Sequence, residues 1–242
     1  MKGVILAGGL GSRLLPCTRI TNKHLLPVLD RPMIYYPIRT LINAGIDDIL
    51  LVTGGNYAGH FLQLLGNGKE FGLKELHYTY QDGEGGIADA LRLAEDFADG
   101  GRICVVLGDN IIEKSIKDAA DAYREQPSGA RILLKEVDDP ERFGVPVMDG
   151  KRVVRIEEKP QQPQSNYAVT GIYFYDHLVF DMIRQLKPSD RGELEISDVN
   201  NMYLERDLLE WSLLDGWWTD AGTFESLLRA SNLVASGGAN KA

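Results

Sequence analysis

Leu6-Ala7-Gly8-Gly9-Leu10-Gly11-Ser12-Arg13-Leu14 follows an apolar run that begins at Gly3. The run is continuous rather than alternating, which suits a strand covered on both faces. The glycines after it let the backbone approach an anion closely and aim N–H groups at it. Arg13 adds a guanidinium fork suited to phosphate oxygens. The stretch is not the dinucleotide fingerprint, because Leu14 stands where that pattern needs Gly or Ala. It is not a P-loop either, since no Gly-Lys-Ser/Thr follows. Taken alone, it is as readily a glycine turn required for tight packing.

Outward from this stretch, strands and helices alternate. Ile34 to Ala44 reads as a helix with Gly45 as its C-cap. Ile49 to Thr53, Leu76 to Gln81 and Arg102 to Leu107 read as further strands. Ile87, Ala90, Leu91, Ala94 and Phe97 recur at helical spacing, so one amphipathic helix is expected over 87–98. Ile116, Ala119, Ala120 and Tyr123 mark another. The rhythm argues for an α/β fold, a Rossmann-like, doubly wound and mostly parallel mixed sheet. From Ala130 the texture changes. Strand-like segments at 131–137, 145–147, 153–157, 169–175 and 209–214 are interrupted by helices near 177–186, 195–205 and 223–234. These are read as the remaining strands of the sheet with a sugar-sized pocket beside it. One domain over 1–234 is expected, with residues 235–242 fraying.

The 242 residues are 44% apolar and 25% charged, the balance of a globular chain with a substantial core. No stretch of about 18 uncharged apolar residues exists, so no spanning helix is expected. The N-terminal apolar run is too short for a signal-peptide core. Two distant cysteines, Cys17 and Cys104, fit a reducing cytoplasm and give neither a disulfide framework nor a Cys-rich zinc site. With 26 basic and 35 acidic side chains, the net charge is −9. That argues against partners such as duplex nucleic acid or an anionic membrane. A small anion would have to be bound by local means: backbone N–H groups, placed cations or a bridging metal.

Five further segments offer such means, and each has a plain structural alternative. Lys23, in Asn22-Lys23-His24-Leu25-Leu26-Pro27, offers a point charge to a phosphate, or snorkels over the core. His24 beside it reads as a packed side chain. Asp109, in Gly108-Asp109-Asn110, ends a very apolar strand and suits magnesium, or simply makes a turn. Asp220, in Trp217-Trp218-Thr219-Asp220-Ala221-Gly222-Thr223, offers a second carboxylate ahead of a helix capped by Thr223. Glu157-Glu158-Lys159-Pro160, with Phe143-Gly144-Val145 before it, and Arg191-Gly192-Glu193-Leu194-Glu195-Ile196 suit a sugar phosphate, or are solvated loop charge.

In this order, and with Tyr167-Ala168-Val169-Thr170-Gly171, these segments resemble the sugar nucleotidylyltransferases. Within that family the likeness is to the short glucose-1-phosphate thymidylyltransferases, including those tied to spore-coat polysaccharide. It runs from about Met1 to Leu233. The resemblance implies the nucleotide-diphospho-sugar transferase fold, with a nucleotide-binding part over about 1–128 and a sugar-phosphate part over about 129–234. It implies transfer of a nucleotidyl group from dTTP, or UTP, to glucose 1-phosphate, or to another sugar 1-phosphate, with Mg2+ as cofactor and a homo-oligomer as the usual assembly. Leu6, Gly8, Gly11, Ser12 and Arg13 would hold the triphosphate, and Lys23 would act with Arg13 at the α-phosphate. Gln81 and Gly86 would read the base edge, and Asp109 and Asp220 would hold magnesium. Gly144, Glu158, Lys159, Val169 and Tyr173 would form the sugar-phosphate pocket, with Arg191 near the phosphates.

The chain departs from the family pattern in three places. Ser12 replaces the more usual Thr and keeps the hydroxyl. The base-reading segment runs Gln81-Asp82-Gly83-Glu84-Gly85-Gly86-Ile87-Ala88-Asp89, where the family pattern has an Asp near 85 and a Gln at 89. Longer members carry a further C-terminal segment that forms a regulatory nucleotide site and assembly contacts, so feedback through that site is not expected here. Two other classes remain open. A glycosyltransferase would show an Asp-x-Asp motif, where this chain has Asp109-Asn110-Ile111. A non-catalytic nucleotide-sugar sensor would be expected to have lost Arg13, Lys23 or a metal Asp.

Overall fold

Successive residues of β1 (Lys2–Ala7) part to opposite faces, as the two-residue strand period requires. Val4 and Leu6 enter one core, Ile5 and Ala7 the other. The same division runs along β2 (Asp48–Gly54), where Leu50 and Val52 face one way and Ile49 and Leu51 the other. Such strands are apolar on both faces because helices cover both. Each fully buried Leu, Ile or Val contributes about 1.5–3 kcal/mol.

The computed structural model describes residues 1–241. Among them β1 and β2 belong to a mixed nine-stranded sheet with β3 (Glu75–Gln81), β4 (Ile103–Leu107), β5 (Ala130–Glu136), β6 (Gly144–Asp149), β7 (Arg152–Glu158), β8 (Tyr167–Tyr175) and β9 (Leu209–Leu213). The spatial order is β7-β6-β8-β4-β1-β2-β3, with β5 paired to β8 and β9 paired to β5. The β4-β1-β2-β3 block is parallel throughout, whereas β8 is antiparallel to β4, β5 and β6. The doubly wound, mostly parallel mixed sheet expected from the sequence is therefore present.

Helices α1 (Tyr35–Asn43), α2 (Ala58–Leu65) and α4 (Lys117–Glu125) cover one face. Helices α3 (Ile87–Arg92), α5 (Leu178–Ile183) and α6 (Ile196–Leu204) cover the other. The last helix, α7 (Phe224–Gly237), packs through Ala230 on a smaller cluster with Val28, Met33, Tyr36 and Ile111. Among the described residues no helix is long and apolar enough to cross a membrane.

Gly45 ends α1 as the sequence suggested. Its φ is +73°, its N–H donates to the Ile42 carbonyl, and Ile46 N–H donates to the Leu41 carbonyl. This is the paired closure of a Schellman motif.

Four features differ from the sequence reading. The helix expected over 87–98 is two pieces, α3 and a single turn at Glu95–Ala98. Leu93 and Ala94 donate to carbonyls three residues back, which tightens the chain between them. Helix α2, after Gly54-Gly55, was not anticipated. Nor was a small ribbon that pairs Asn110–Ile112 with Trp218–Asp220. The chain end is also anchored rather than frayed: α7 continues to Gly237, Asn240 N–H donates to the Ile112 carbonyl, and Asn43 Nδ2 donates to the Asn240 carbonyl.

Candidate active site

β1 and β4 end side by side, and Gly108 N–H donates to the Leu6 carbonyl at 2.9 Å. The loops after both strands therefore leave from one point of the sheet. From β1 the chain winds outward through β2 and β3, then returns to β4 on the other side. Open α/β sheets bind ligands outside the carboxyl ends of their strands at such a reversal. A cleft of about 760 Å³ opens there.

All the site residues expected from the sequence line this cleft. Leu6, Gly8, Gly11, Ser12, Arg13 and Lys23 come from β1 and the loop after it. Gln81 ends β3, and Gly86 and Asp109 follow β3 and β4. Gly144, Glu158, Lys159, Val169 and Tyr173 form the opposite wall, and Arg191 and Asp220 complete the rim. Val169 lies opposite Gly144 in the sheet, so the Phe-Gly-Val and Tyr-Ala-Val segments meet directly.

The loop holding Lys23 is fixed by local chemistry. Asn22 caps the turn, its Oδ1 accepting from the His24 backbone N–H at 3.0 Å and lying 2.7 Å from His24 Nδ1. An amide oxygen only accepts, so Nδ1 carries the proton. His24 is buried against Gly108, and desolvation, helped by Lys23, pushes its pKa down to about 3. Gly11 (φ +69°) passes so close that a Cβ there would sit 2.8 Å from Lys23 Cβ. Lys23 is thereby aimed across the cleft, where Nζ donates to Asp109 Oδ2 at 2.5 Å.

The two aspartates are brought together by the unanticipated ribbon. Asp220 stands opposite Asn110 in register, and Ala221 N–H donates to the Asp109 carbonyl. Burial opposes ionisation of Asp109, but Lys23 and the Asn110 amide outweigh it and hold the carboxyl well below its usual range. Asp220 is gripped by Arg142, whose Nη2 lies 3.1 Å from each carboxylate oxygen. The space over Gly222 is the convergence point. A methyl placed there would lie 3.2 Å from Asp220 Oδ2, 3.3 Å from Arg13 Nη2 and 3.6 Å from Asp109 Oδ2. Two carboxylates around an open space are a hard oxygen donor set of the kind a divalent ion shares with phosphates and water. The residues fit such an ion. The Asp48, Glu75 and His77 cluster, with ligand atoms within 4.8 Å of one another, is a different place. Asp48 and Glu75 open β2 and β3 at the far end of the sheet.

On the opposite wall, Ser197 donates to Glu158 Oε2, and Lys159 Nζ lies 3.7 Å from Glu158 Oε1. Tyr173 is buried, and desolvation with nearby Glu158 pushes its phenol pKa up, so it stays protonated. Arg191 is held by Glu195 through three hydrogen bonds of 2.7–3.1 Å, with Glu158 and Glu193 at 3.5 and 3.4 Å.

The model of the nucleotidyl transferase family matches residues 2–237. The chain belongs to the nucleotidyl transferases. A glucose-1-phosphate thymidylyltransferase of Neisseria gonorrhoeae is 48% identical over 97% of this chain and 82% of its own. One from Xanthomonas campestris is 45% identical over 96% and 80%. A Bacillus anthracis structure, provisionally described as a glucose-1-phosphate thymidylyltransferase and solved with sucrose, superposes with a TM-score of 0.93 at 52% identity. It covers 98% of this chain and 96% of that one. A UDP-glucose pyrophosphorylase solved with UDP-glucose shares the fold at a TM-score of 0.84 and 23% identity, over 97% and 98% of the two chains.

Three polar residues of the nucleotidyl transferase cleft were not anticipated. Arg142 carried only its place beside Phe143-Gly144 as a signal. Ser197 and Asn200 sit on α6 with no motif of their own. Asn200 Oδ1 accepts from the Tyr175 hydroxyl, while its buried Nδ2 has no partner among the described residues.

Proposed function

We propose that this nucleotidyl transferase makes dTDP-glucose and pyrophosphate from dTTP and glucose 1-phosphate. The relatives that carry this activity in their names support it over nearly the whole chain. The observation that carries it is the convergence of Arg13, Asp109 and Asp220 on the open space over Gly222. Gly222 lines the same cleft as the glycine loop and the Gly144–Glu158–Tyr173 wall.

A phosphate oxygen of glucose 1-phosphate attacks the α-phosphorus of dTTP in line. The bond from that phosphorus to the bridging oxygen breaks, and pyrophosphate leaves with the electron pair. The nucleophile is already an anion, so no general base is needed. The obstacle is charge, and positioning with electrostatic stabilisation is the main term. The Leu6–Ser12 backbone cradles the triphosphate. Arg13 and Lys23 bear on the α-phosphate, so Lys23 exchanges its Asp109 partner for a phosphate oxygen. Gln81 and Gly86 meet the base edge. Glu158, with Gly144, Val169 and the protonated Tyr173, binds sugar hydroxyls. Lys159 and Arg191 face the sugar phosphate. Mg2+ held by Asp109 and Asp220 would neutralise phosphate charge as a Lewis acid. The use of nucleotide and sugar-phosphate pools supports a cytoplasmic setting.

Pyrophosphate release with Mg2+, glucose 1-phosphate and each nucleoside triphosphate in turn tests this reading. Release with dTTP, and less with UTP, is expected. Equal rates with both would keep the reaction and remove the thymidine preference, since one methyl in a pocket is worth only about 1–3 kcal/mol. No release with any triphosphate and a panel of sugar 1-phosphates would overturn the reading.

A further inference from the structure

Gln81 closes β3 and is almost fully buried. Its amide nitrogen donates to Asp89 Oδ2 at 2.9 Å and lies 3.4 Å from the Gly86 carbonyl oxygen. Both neighbours only accept, so the amide has one orientation that satisfies them. Nε2 points to Asp89. Oε1 points to Gly8, where it lies 2.6 Å from the position a Cβ would take. Gly8 lines the cleft, so Gln81 presents an acceptor there and not a donor. Asp89 is itself held from α3, its Oδ1 accepting from Arg92 Nη2 at 2.9 Å.

The two changes within the base-reading segment are thereby linked. Asp89 stands where the resemblance leads one to expect Gln, and Gly85 where it leads one to expect Asp. A side chain at 85 would put its Cβ 2.5 Å from Asp89 Oδ2. The carboxylate at 89 requires the bare backbone at 85.

We infer that Asp89 is a positioning residue for base specificity, fixing which end of the Gln81 amide faces the nucleotide. This rests on the reading that Gln81 meets the base. An acceptor at that place pairs with the imide N–H of thymine or uracil. Cytosine has a lone pair at the same ring position, and two acceptors would then face each other without a proton between them. A Gln at 89 offers both a donor and an acceptor and would leave only the longer 3.4 Å contact with the Gly86 carbonyl to orient the Gln81 amide. Asp89 removes that freedom, so the chain excludes cytidine nucleotides through a residue that does not line the cleft.

The test measures kcat/KM for dTTP and for dCTP with the full chain and its variants. Asp89→Asn and Asp89→Ala should each lower the dTTP-to-dCTP ratio by about tenfold or more, through the nucleotide KM, with the KM for glucose 1-phosphate unchanged. Arg92→Ala removes the ion pair but leaves the acceptor, and should hold the ratio within about threefold. An unchanged ratio in both Asp89 variants would overturn the inference, as would an equal loss in Arg92→Ala, which would point to helix packing instead. Gln81→Ala separates the layers. If it lowers the ratio while the Asp89 variants do not, only this inference fails; if it leaves the ratio intact, base reading by Gln81 fails first.

Discussion

Lys23 and Gly222 show how little side chain the reacting space requires. Lys23 reaches Asp109 from a loop fixed by Asn22 and His24. Lys23→Ala should lower kcat by about 10²–10³-fold if the amine stabilises charge at the α-phosphate; a loss under threefold in steady-state turnover would remove it from the chemistry. Gly222 needs no positive φ, so a methyl there does not strain the backbone. It would nonetheless fill the space shared by Asp109, Asp220 and Arg13. Gly222→Ala should reduce turnover at least tenfold while the thermal midpoint moves by less than about 2 °C. A large drop in midpoint would mean that the position is structural. His24 links the site to pH. It titrates at 6.5 in the unfolded chain and at about 3 when folded, so below pH 6.5 the unfolded chain takes up a proton that the folded one refuses. Stability therefore falls as pH drops from 6.5 towards 3, by up to ~1.4 kcal/mol per pH unit from this group. Urea titrations at a series of pH values should give a shallower slope for His24→Gln than for the parent. Equal slopes would show that His24 does not titrate in this way.

At the scale of elements, what the sequence made legible and what it did not separate by physical cause. Strands buried on both faces, β1, β2 and β4, announce themselves as unbroken apolar runs, and the half-exposed β3 beside β2 shows as an alternation with aromatics. Caps with a chemical mechanism were equally legible: Gly45 closes α1, and Thr223 opens α7 with Ser226 in a reciprocal capping box. Thr223→Ala should cost about 1 kcal/mol, seen as a fall of roughly 2–4 °C in the thermal midpoint. No shift would mean that the box adds nothing beyond packing. The Asn110–Ile112 and Trp218–Asp220 ribbon was not legible, because its strands have only three residues each and are far apart in the chain, the Trp218 indole N–H reaching Asn110 across 108 positions. Arg142 was missed for the same reason. Its importance comes from an Asp 78 positions away, and nothing local marks it.

At the scale of the molecule, the two halves of the chain share one sheet, and the tail closes back on the first half. The expectation of a frayed end rested on the usual looseness of terminal residues. Asn240 overturns it, since its backbone and amide bond to Ile112, Tyr36 and Asn43. Four of the five lysines and arginines of the cleft share a different property. Lys23 faces Asp109, Arg142 faces Asp220, Arg191 faces Glu195 and Lys159 faces Glu158. Among the described residues Arg13 is the one cleft cation with no ion pair; with the other four matched at short range in a chain of net charge −9, little positive field reaches into solvent to guide an approaching polyphosphate. Diffusional encounter is then a climb against repulsion. Added salt should shorten the reach of that repulsion before it weakens contacts inside the cleft. In stopped-flow experiments the bimolecular capture rate of dTTP should rise between about 10 and 150 mM ionic strength, opposite to enzymes that draw anions in by long-range attraction. A falling rate would mean that the mouth of the cleft projects a positive potential despite its internal pairing.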